Sequence, residues 1–165
     1  MPKASGTFFI YTVQSGDTLY SIAKRLGSSV KQIEQQNSLY PPFTDPSLIF
    51  PGQVLVVSNQ QQSTDQVFYI VNAGDHLYSI STRFSSTVEQ MLQLNPEISD
   101  PNVIYINQML RVPAQVHIVS AGDSLYDIAR KYNVALEALI KANNARASFS
   151  PDVIYPGYAV IIPRA

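Results

Sequence analysis

The sequence predicts an α+β protein of three tandem βααβ modules, each with two helices packed on a two-stranded antiparallel sheet. Three observations carry that expectation. The phrase "SGDTLYSIAKRLG", from Ser15 to Gly27, returns as "AGDHLYSISTRFS" and again as "AGDSLYDIARKYN". An Asn follows the Gly of each Gly-Asp pair by 21 residues: Asn37 after Gly16, Asn95 after Gly74, and Asn143 after Gly122. A third anchor comes later in each copy, as "LIFPGQVLVV", "VIYINQMLRV" and "VIYPGYAVII". Landmarks recurring in one order, one of them at constant spacing, identify an internal repeat. The expected modules span residues 9–58, 67–113 and 117–163, with a polar linker at 59–66 and a short linker at 114–116.

Each module opens on alternating apolar positions, Tyr11/Val13, Tyr69/Val71 and His117/Val119, which suit a short half-buried strand. The Gly turns the chain, and the Asp after it is expected to N-cap a helix. Leu19, Ile22, Ala23 and Leu26 then follow at helical spacing. Gly27 and Asn133 are expected to stop the first helix in modules one and three, since both tolerate a left-handed residue, and Ser85 is a weaker stop in module two. A second short helix is marked by Val30 and Ile33, by Val88, Met91 and Leu92, and by Val134, Ala138 and Leu139. The Asn and a Pro-containing loop end it: "PPFTDP", "PEISDP" and "ASFSPD". A closing strand turns Leu55/Val57, Leu110/Val112 and Val160/Ile162 inward. Two strands alone are marginal in water, so the helices must cover one face of the sheet. Modules this small have thin cores, so modest stability is expected unless they pack together.

The two joints differ. "SNQQQSTDQ", Ser58 to Gln66, is polar and aperiodic and looks flexible, whereas only "AQV", Ala114 to Val116, separates modules two and three. Modules two and three are therefore expected to hold the more fixed relative orientation.

Composition narrows the function. The 165 residues carry 11 Lys and Arg against 12 Asp and Glu, a net charge of −1, and are 45% apolar. Near-neutrality argues against nucleic acid, whose binders cluster cations against phosphates, and offers no basic face to an anionic membrane. No stretch approaches a membrane span, and no signal-peptide core is read in "MPKASGTFFIYTV". Without Cys there is no thiolate nucleophile and no Cys-based metal site. Glycan hydrolysis normally takes two carboxylates across one bond, but the acids here sit one or two per module at repeat-equivalent places. There is no GxSxG and no phosphate-binding Gly loop, and the modules consume the chain. The expectation is a protein without enzymatic activity, cofactor or metal.

These phrases resemble the lysin motif (LysM) family. The likeness rests on "YTVQSGDTLYSIAKRLG", "IEQQN" and "IFPGQVLVV" in module one, on "VNAGDHLYSIS" and "LQLN" in module two, and on "IVSAGDSLYDIARKY", "IKANN" and "IYPG" in module three. The resemblance implies glycan-binding modules that hold N-acetylglucosamine polymers, peptidoglycan or chitin, in a shallow groove between two loops. Carried over residue by residue, one wall is Gly16, Asp17, Thr18 and Leu19; Gly74, Asp75, His76 and Leu77; and Gly122, Asp123, Ser124 and Leu125. The other is Ser47, Leu48 and Ile49; Asn102, Val103 and Ile104; and Asp152, Val153 and Ile154. Loop backbone groups suit an acetamide, and an apolar side chain such as Ile49 suits its methyl group. Module two departs from the pattern, with Ile106-Asn107 in place of Pro-Gly and His76 in place of a small hydroxyl residue.

Structural roles compete at several of these positions. Asp17, Asp75 and Asp123 are read first as helix caps and second as ligand contacts. Asn37, Asn95 and Asn143 are read as local backbone partners. His117, standing where the other modules have Tyr, is read as a packing residue rather than a metal ligand or a catalytic group. One residue of each pair Ile49-Phe50, Ile104-Tyr105 and Ile154-Tyr155 is expected inward, the other toward the groove. The leading function is multivalent binding of cell-wall glycan, placing the protein at a cell wall, spore surface or outside the cell. Its rival is a structural or assembly protein of a bacterial surface or spore coat. Chitin sensing is a weaker third. The sequence leaves the oligomeric state and the choice between peptidoglycan and chitin open.

Overall fold

The computed structural model describes residues 6–39, 48–59, 66–146, 149 and 154–164. Module one runs β1 (Thr7–Thr12), α1 (Leu19–Leu26), α2 (Val30–Gln36) and β2 (Val54–Asn59). Module two repeats the order as β3 (Val67–Ile70), α3 (Leu77–Arg83), α4 (Val88–Leu94) and β4 (Met109–Arg111). Module three follows as β5 (Ala114–Ile118), α5 (Leu125–Lys131), α6 (Leu136–Ala142) and β6 (Ala159–Pro163). The expected βααβ order therefore appears three times. Ala114–Val116, expected as a linker, instead forms the start of β5 and pairs with Ile161–Pro163. Of the expected linker at 59–66, residues 60–65 lie outside the described residues, as do "PPFTDP" and all of "ASFSPD" but Phe149.

The helices form for the reasons their spacing gives. Leu19, Ile22, Ala23 and Leu26 are all buried on one face of α1. Gly27 closes α1 with φ 73°, and Ser85 and Asn133 take the same left-handed turn in their modules. In each module the Asn after the second helix ties that helix to the last strand. Asn37 Nδ2 donates to the carbonyls of Ile33 (2.9 Å) and Val56 (2.8 Å), while its Oδ1 accepts from Val56 N (2.9 Å). Asn95 and Asn143 repeat this clamp on Arg111 and Ile161. Replacing such a fully buried amide would leave both a strand N–H and a strand carbonyl without a partner.

The strands are more deeply covered than alternation predicts. Every residue of β1 from Thr7 to Tyr11 is buried, and all of β6 is. The reason is that the modules pack back to back. Phe9, Tyr11, Leu55 and Val57 face the helices of module one, whereas Phe8, Ile10, Val54 and Val56 join a second core. That second core takes Tyr69, Leu77, Phe84 and Leu110 from module two and Val116, Ala159 and Ile161 from module three. Strands buried on both faces read as continuous apolar runs, as in "FFIYTV" and "AVIIP".

The joints reverse the sequence expectation. β1 and β3 pair in parallel, with Phe8 opposite Val67 and Ile10 opposite Tyr69, so modules one and two share one sheet in the order β2-β1-β3-β4. Strand pairing, which the polar character of the connecting chain could not reveal, fixes that joint. Module three keeps its own sheet, β5-β6, and docks on the free edge of β2. There Val54 N donates to Ala145 O (3.0 Å), and Val54 and Arg146 form a parallel bridge. Arg146 is buried. Its Nη1 donates to Asn143 Oδ1 (3.0 Å) and Ala159 O (2.5 Å), and its Nη2 to Asn37 Oδ1 (2.9 Å) and Gln36 O (3.3 Å). Tyr158 lies against the guanidinium at 4.4 Å. Burial pulls the Arg146 pKa below its ordinary value.

Candidate functional site

The first wall of each module is a turn held by its own Asp. Gly16, Gly74 and Gly122 adopt φ of 88°, 87° and 89°, a region that favours Gly. The Asp that follows does not cap the helix, contrary to expectation. The cap is the next residue, whose extended backbone directs its side chain to the helix: Thr18 Oγ1 accepts from Ser21 N (3.0 Å), and Ser124 Oγ accepts from Asp127 N (3.1 Å). One residue earlier, the Asp carboxylate folds back over the Gly turn. Asp17, Asp75 and Asp123 accept from the backbone N–H of Gln14, Asn72 and Ser120 at 2.8, 2.8 and 2.9 Å.

A second partner reaches the same carboxylate from the first strand. Tyr11 Oη donates to Asp17, and Tyr69 Oη donates to Asp75 at 2.8 Å. In module three, His117 Nε2 stands 2.9 Å from Asp123, with Nδ1 2.8 Å from Tyr132 Oη. His117 is thus a buried packing residue that does the work of the tyrosines. Burial first, and the neighbouring Asp17 second, push the Tyr11 phenol up to about 12; burial and then Asp75 raise that of Tyr69. Burial would raise the Asp123 carboxyl, but hydrogen bonds from His117 and Ser120 N outweigh it and leave the pKa below the ordinary value. In each of these acids one carboxylate oxygen, Oδ2, holds the turn and the first-strand partner together.

The two walls come together where both are described, in module two. Asp75, His76 and Leu77 face Asn102 and Ile104 across a groove of about 560 Å³, which Tyr78, Val88 and Pro101 complete. Gly74 and Val103 are not among its lining residues. His76 occupies the cap position, but its imidazole makes no cap hydrogen bond; the His76 backbone N–H donates to Ser79 Oγ (3.1 Å). An exposed imidazole is left on the groove wall. Asn107 takes φ 70°, so the turn that Pro-Gly makes elsewhere survives here.

In modules one and three the first walls have the same turn geometry. Leu19 and Leu125 are core residues rather than surface ones. Of the second walls, Ser47, Asp152 and Val153 lie outside the described residues, while Leu48 is exposed. In all three modules the Ile packs inward: Ile49, Ile104 and Ile154 each lie against a core, and Phe50, Tyr105 and Tyr155 face outward. Sequence reasoning passed over Tyr78, Val88 and Pro101, although a Tyr follows the Gly-Asp-X-Leu phrase in every copy. Among the described residues no group of three or more His, Asp or Glu is placed to hold a metal ion, and no helix is long and apolar enough to cross a membrane.

Comparison with known proteins agrees with this architecture. Residues 11–58, 69–113 and 117–163 each match the family model described as LysM domain. An endolysin of Bacillus phage PZA is 35% identical over 102 residues, covering 62% of this chain and 37% of its own length. The N-acetylmuramoyl-L-alanine amidase sle1 of Staphylococcus epidermidis is 36% identical over 119 residues, covering 66% of this chain and 34% of its own. Among solved structures, the spore cortex-lytic enzyme SleL of Bacillus cereus is 32% identical with a TM-score of 0.46, over 64% of this chain and 22% of that one. The chain thus spans about a third of the length of the two curated relatives.

Proposed function

The chain belongs to the LysM domain family, and from that premise we propose that it is a non-catalytic, multivalent binder of polysaccharide containing N-acetylglucosamine. The observation that carries the proposal is the module-two groove, where two loops face each other across about 560 Å³. Its chemistry suits a neutral amino sugar. Val88, Pro101 and the partly buried Ile104 offer apolar surface to an acetamide methyl group above the core residue Leu77, while His76 and Asn102 offer hydrogen bonds at the rim. The one carboxylate present, Asp75, is already bonded to Tyr69 and to the backbone of Asn72.

The equivalent loops of modules one and three are proposed as further sites: Gly16 to Leu19 with Ser47 to Ile49, and Gly122 to Leu125 with Asp152 to Ile154. Weak sites in series on one polymer raise the effective concentration, so long glycans bind better than short ones. A relative named N-acetylmuramoyl-L-alanine amidase supports a bacterial wall as the place of action. Peptidoglycan and chitin share the N-acetyl group, and the proposal covers both. The test is a titration with N-acetylglucosamine oligomers and peptidoglycan fragments of increasing length, followed by backbone amide NMR, together with polymer pull-down. Shifts at residues 75–77 and 102–104 and retention on polymer are expected. Silence at those amides and no retention on either polymer would sink the reading.

A further inference from the structure

Each copy of the repeat places a Tyr on the outer face of its first helix. Tyr20, Tyr78 and Tyr126 are 68%, 70% and 60% exposed, unusual for aromatic rings of this size. What stands four residues on, over the same helix face, separates module two from the others. Module one has Lys24 there and module three has Arg130, whose guanidinium lies over the Tyr126 ring at 5.8 Å. Module two has Thr82, too short to cover a ring.

The uncovered Tyr78 also sits at a junction. It lines the module-two groove and, with Val88, a second depression of about 430 Å³ on the α3–α4 face. The two hollows therefore adjoin, sharing one aromatic ring and one apolar side chain. Hydroxyl and carboxylate oxygens fill the rest of the second lining. Thr82 Oγ1 donates to Ser79 O (2.9 Å) and Ser86 Oγ to Gln90 Oε1 (2.6 Å), so both hydroxyl protons are engaged and each oxygen keeps acceptor capacity. The exposed Glu89 adds a further acceptor. Thr87 accepts from Gln90 N (3.2 Å) and keeps its proton to donate. An aromatic face ringed mainly by acceptors complements a pyranose ring, which is apolar on its face and rich in O–H and N–H donors at its edge.

We propose that the glycan site of module two continues past Tyr78 onto the α3–α4 face, where Tyr78 stacks on an additional sugar of the chain held in the groove. This rests on the groove reading above. It makes module two selective for length within a single module, apart from any gain from tethering three modules.

The experiment uses the whole chain, titrated with N-acetylglucosamine oligomers from the dimer upward and, in a second arm, with peptidoglycan glycan strands of matching length. Within module two, dimers should shift only the amides of residues 75–77 and 102–104; longer chains should also shift Thr82 and residues 86–89. Tyr78→Ala should weaken long-chain binding at the module-two amides about ten-fold and dimer binding by clearly less, since Tyr78 only borders the groove. Thr82→Arg, which installs the cation of module three, should do the same by covering the ring. Tyr126→Ala should leave both lengths unaffected at those amides. A response in one arm alone names the source of the sugar chain. If long chains shift the groove amides but never residues 86–89, or if Tyr78→Ala weakens dimer and long chain equally, the extension is wrong and the groove stands. If no oligomer moves either set, both readings fall.

Discussion

Modules one and two meet through a sheet, and modules one and three meet around a single guanidinium. In the first joint β1 and β3 exchange backbone hydrogen bonds, and Phe9 stacks on Phe68 with centroids 5.8 Å apart. In the second, Arg146 spreads four hydrogen bonds over oxygens of both modules, with no carboxylate among its partners. The short connection between modules two and three does not make theirs the dominant contact, and the polar stretch after β2 does not leave modules one and two apart. What fixes a joint here is the surface each module turns inward, not the length of chain between them. Backbone pairing spreads its energy over several residues, whereas the guanidinium concentrates it in one, so the two joints should fail differently.

The largest effect should come from the sheet. Ile10 is fully buried in β1, opposite Tyr69 and inside the core shared by all three modules. Ile10→Asp places a carboxylate there without a partner, at a cost above about 4 kcal/mol. Urea unfolding should show modules one and two lost together, and a folded variant with an unchanged midpoint would contradict the shared core. Arg146→Ala should cost less, about 3 kcal/mol, through lost charged hydrogen bonds and stranded acceptors. Its signature is local. Hydrogen exchange should accelerate in β5, β6 and α6 while β1 and β3 keep their protection. Uniform acceleration across both sheets would show that the joints are not separable.

The contrast between the joints also marks how far the sequence could be read. Three repeats, the buried faces of the first helices and the local, helix-side bond of the Asn clamp were legible, because each depends on residues close in sequence or on spacing that recurs; the clamp's reach to a strand 16 to 19 residues on was not. The packing of the modules was not. Tyr11 and Val13 alternate, which suits a half-buried strand, yet Phe8, Phe9 and Ile10 just before them show no polar face at all. That continuous run was the available signal of a strand covered twice. Arg146 offered none: within "NNARAS" it reads as a surface basic residue, and its partner Asn37 is 109 positions away. At the candidate site the Gly-Asp turn was found, but its Asp was misread by one residue of helix phase. Of the groove's third side, Val88 was read only as a marker of the second helix and Tyr78 was not singled out, because nothing local in sequence brings the two helices' side chains to one groove.

The smallest effect sharpens the same comparison from its weak end. Modules one and two also share an exposed polar contact, in which Gln14 Nε2 donates to Asn72 Oδ1 at 2.9 Å. By distance alone it equals the bond from Arg146 to Asn37. It differs in surroundings: Gln14 is exposed, so water replaces its partner when the bond breaks, whereas the oxygens around Arg146 would be left buried. A neutral bond open to water contributes at most about 0.5–1.5 kcal/mol, and surface substitutions usually fall within about 0.5. Gln14→Ala should therefore leave the urea midpoint within about 0.5 kcal/mol of the parent and leave exchange in β1 and β3 unchanged. A loss approaching that of Arg146→Ala would mean that the sheet joint depends on its polar rim, and that burial does not set the ranking of the two joints.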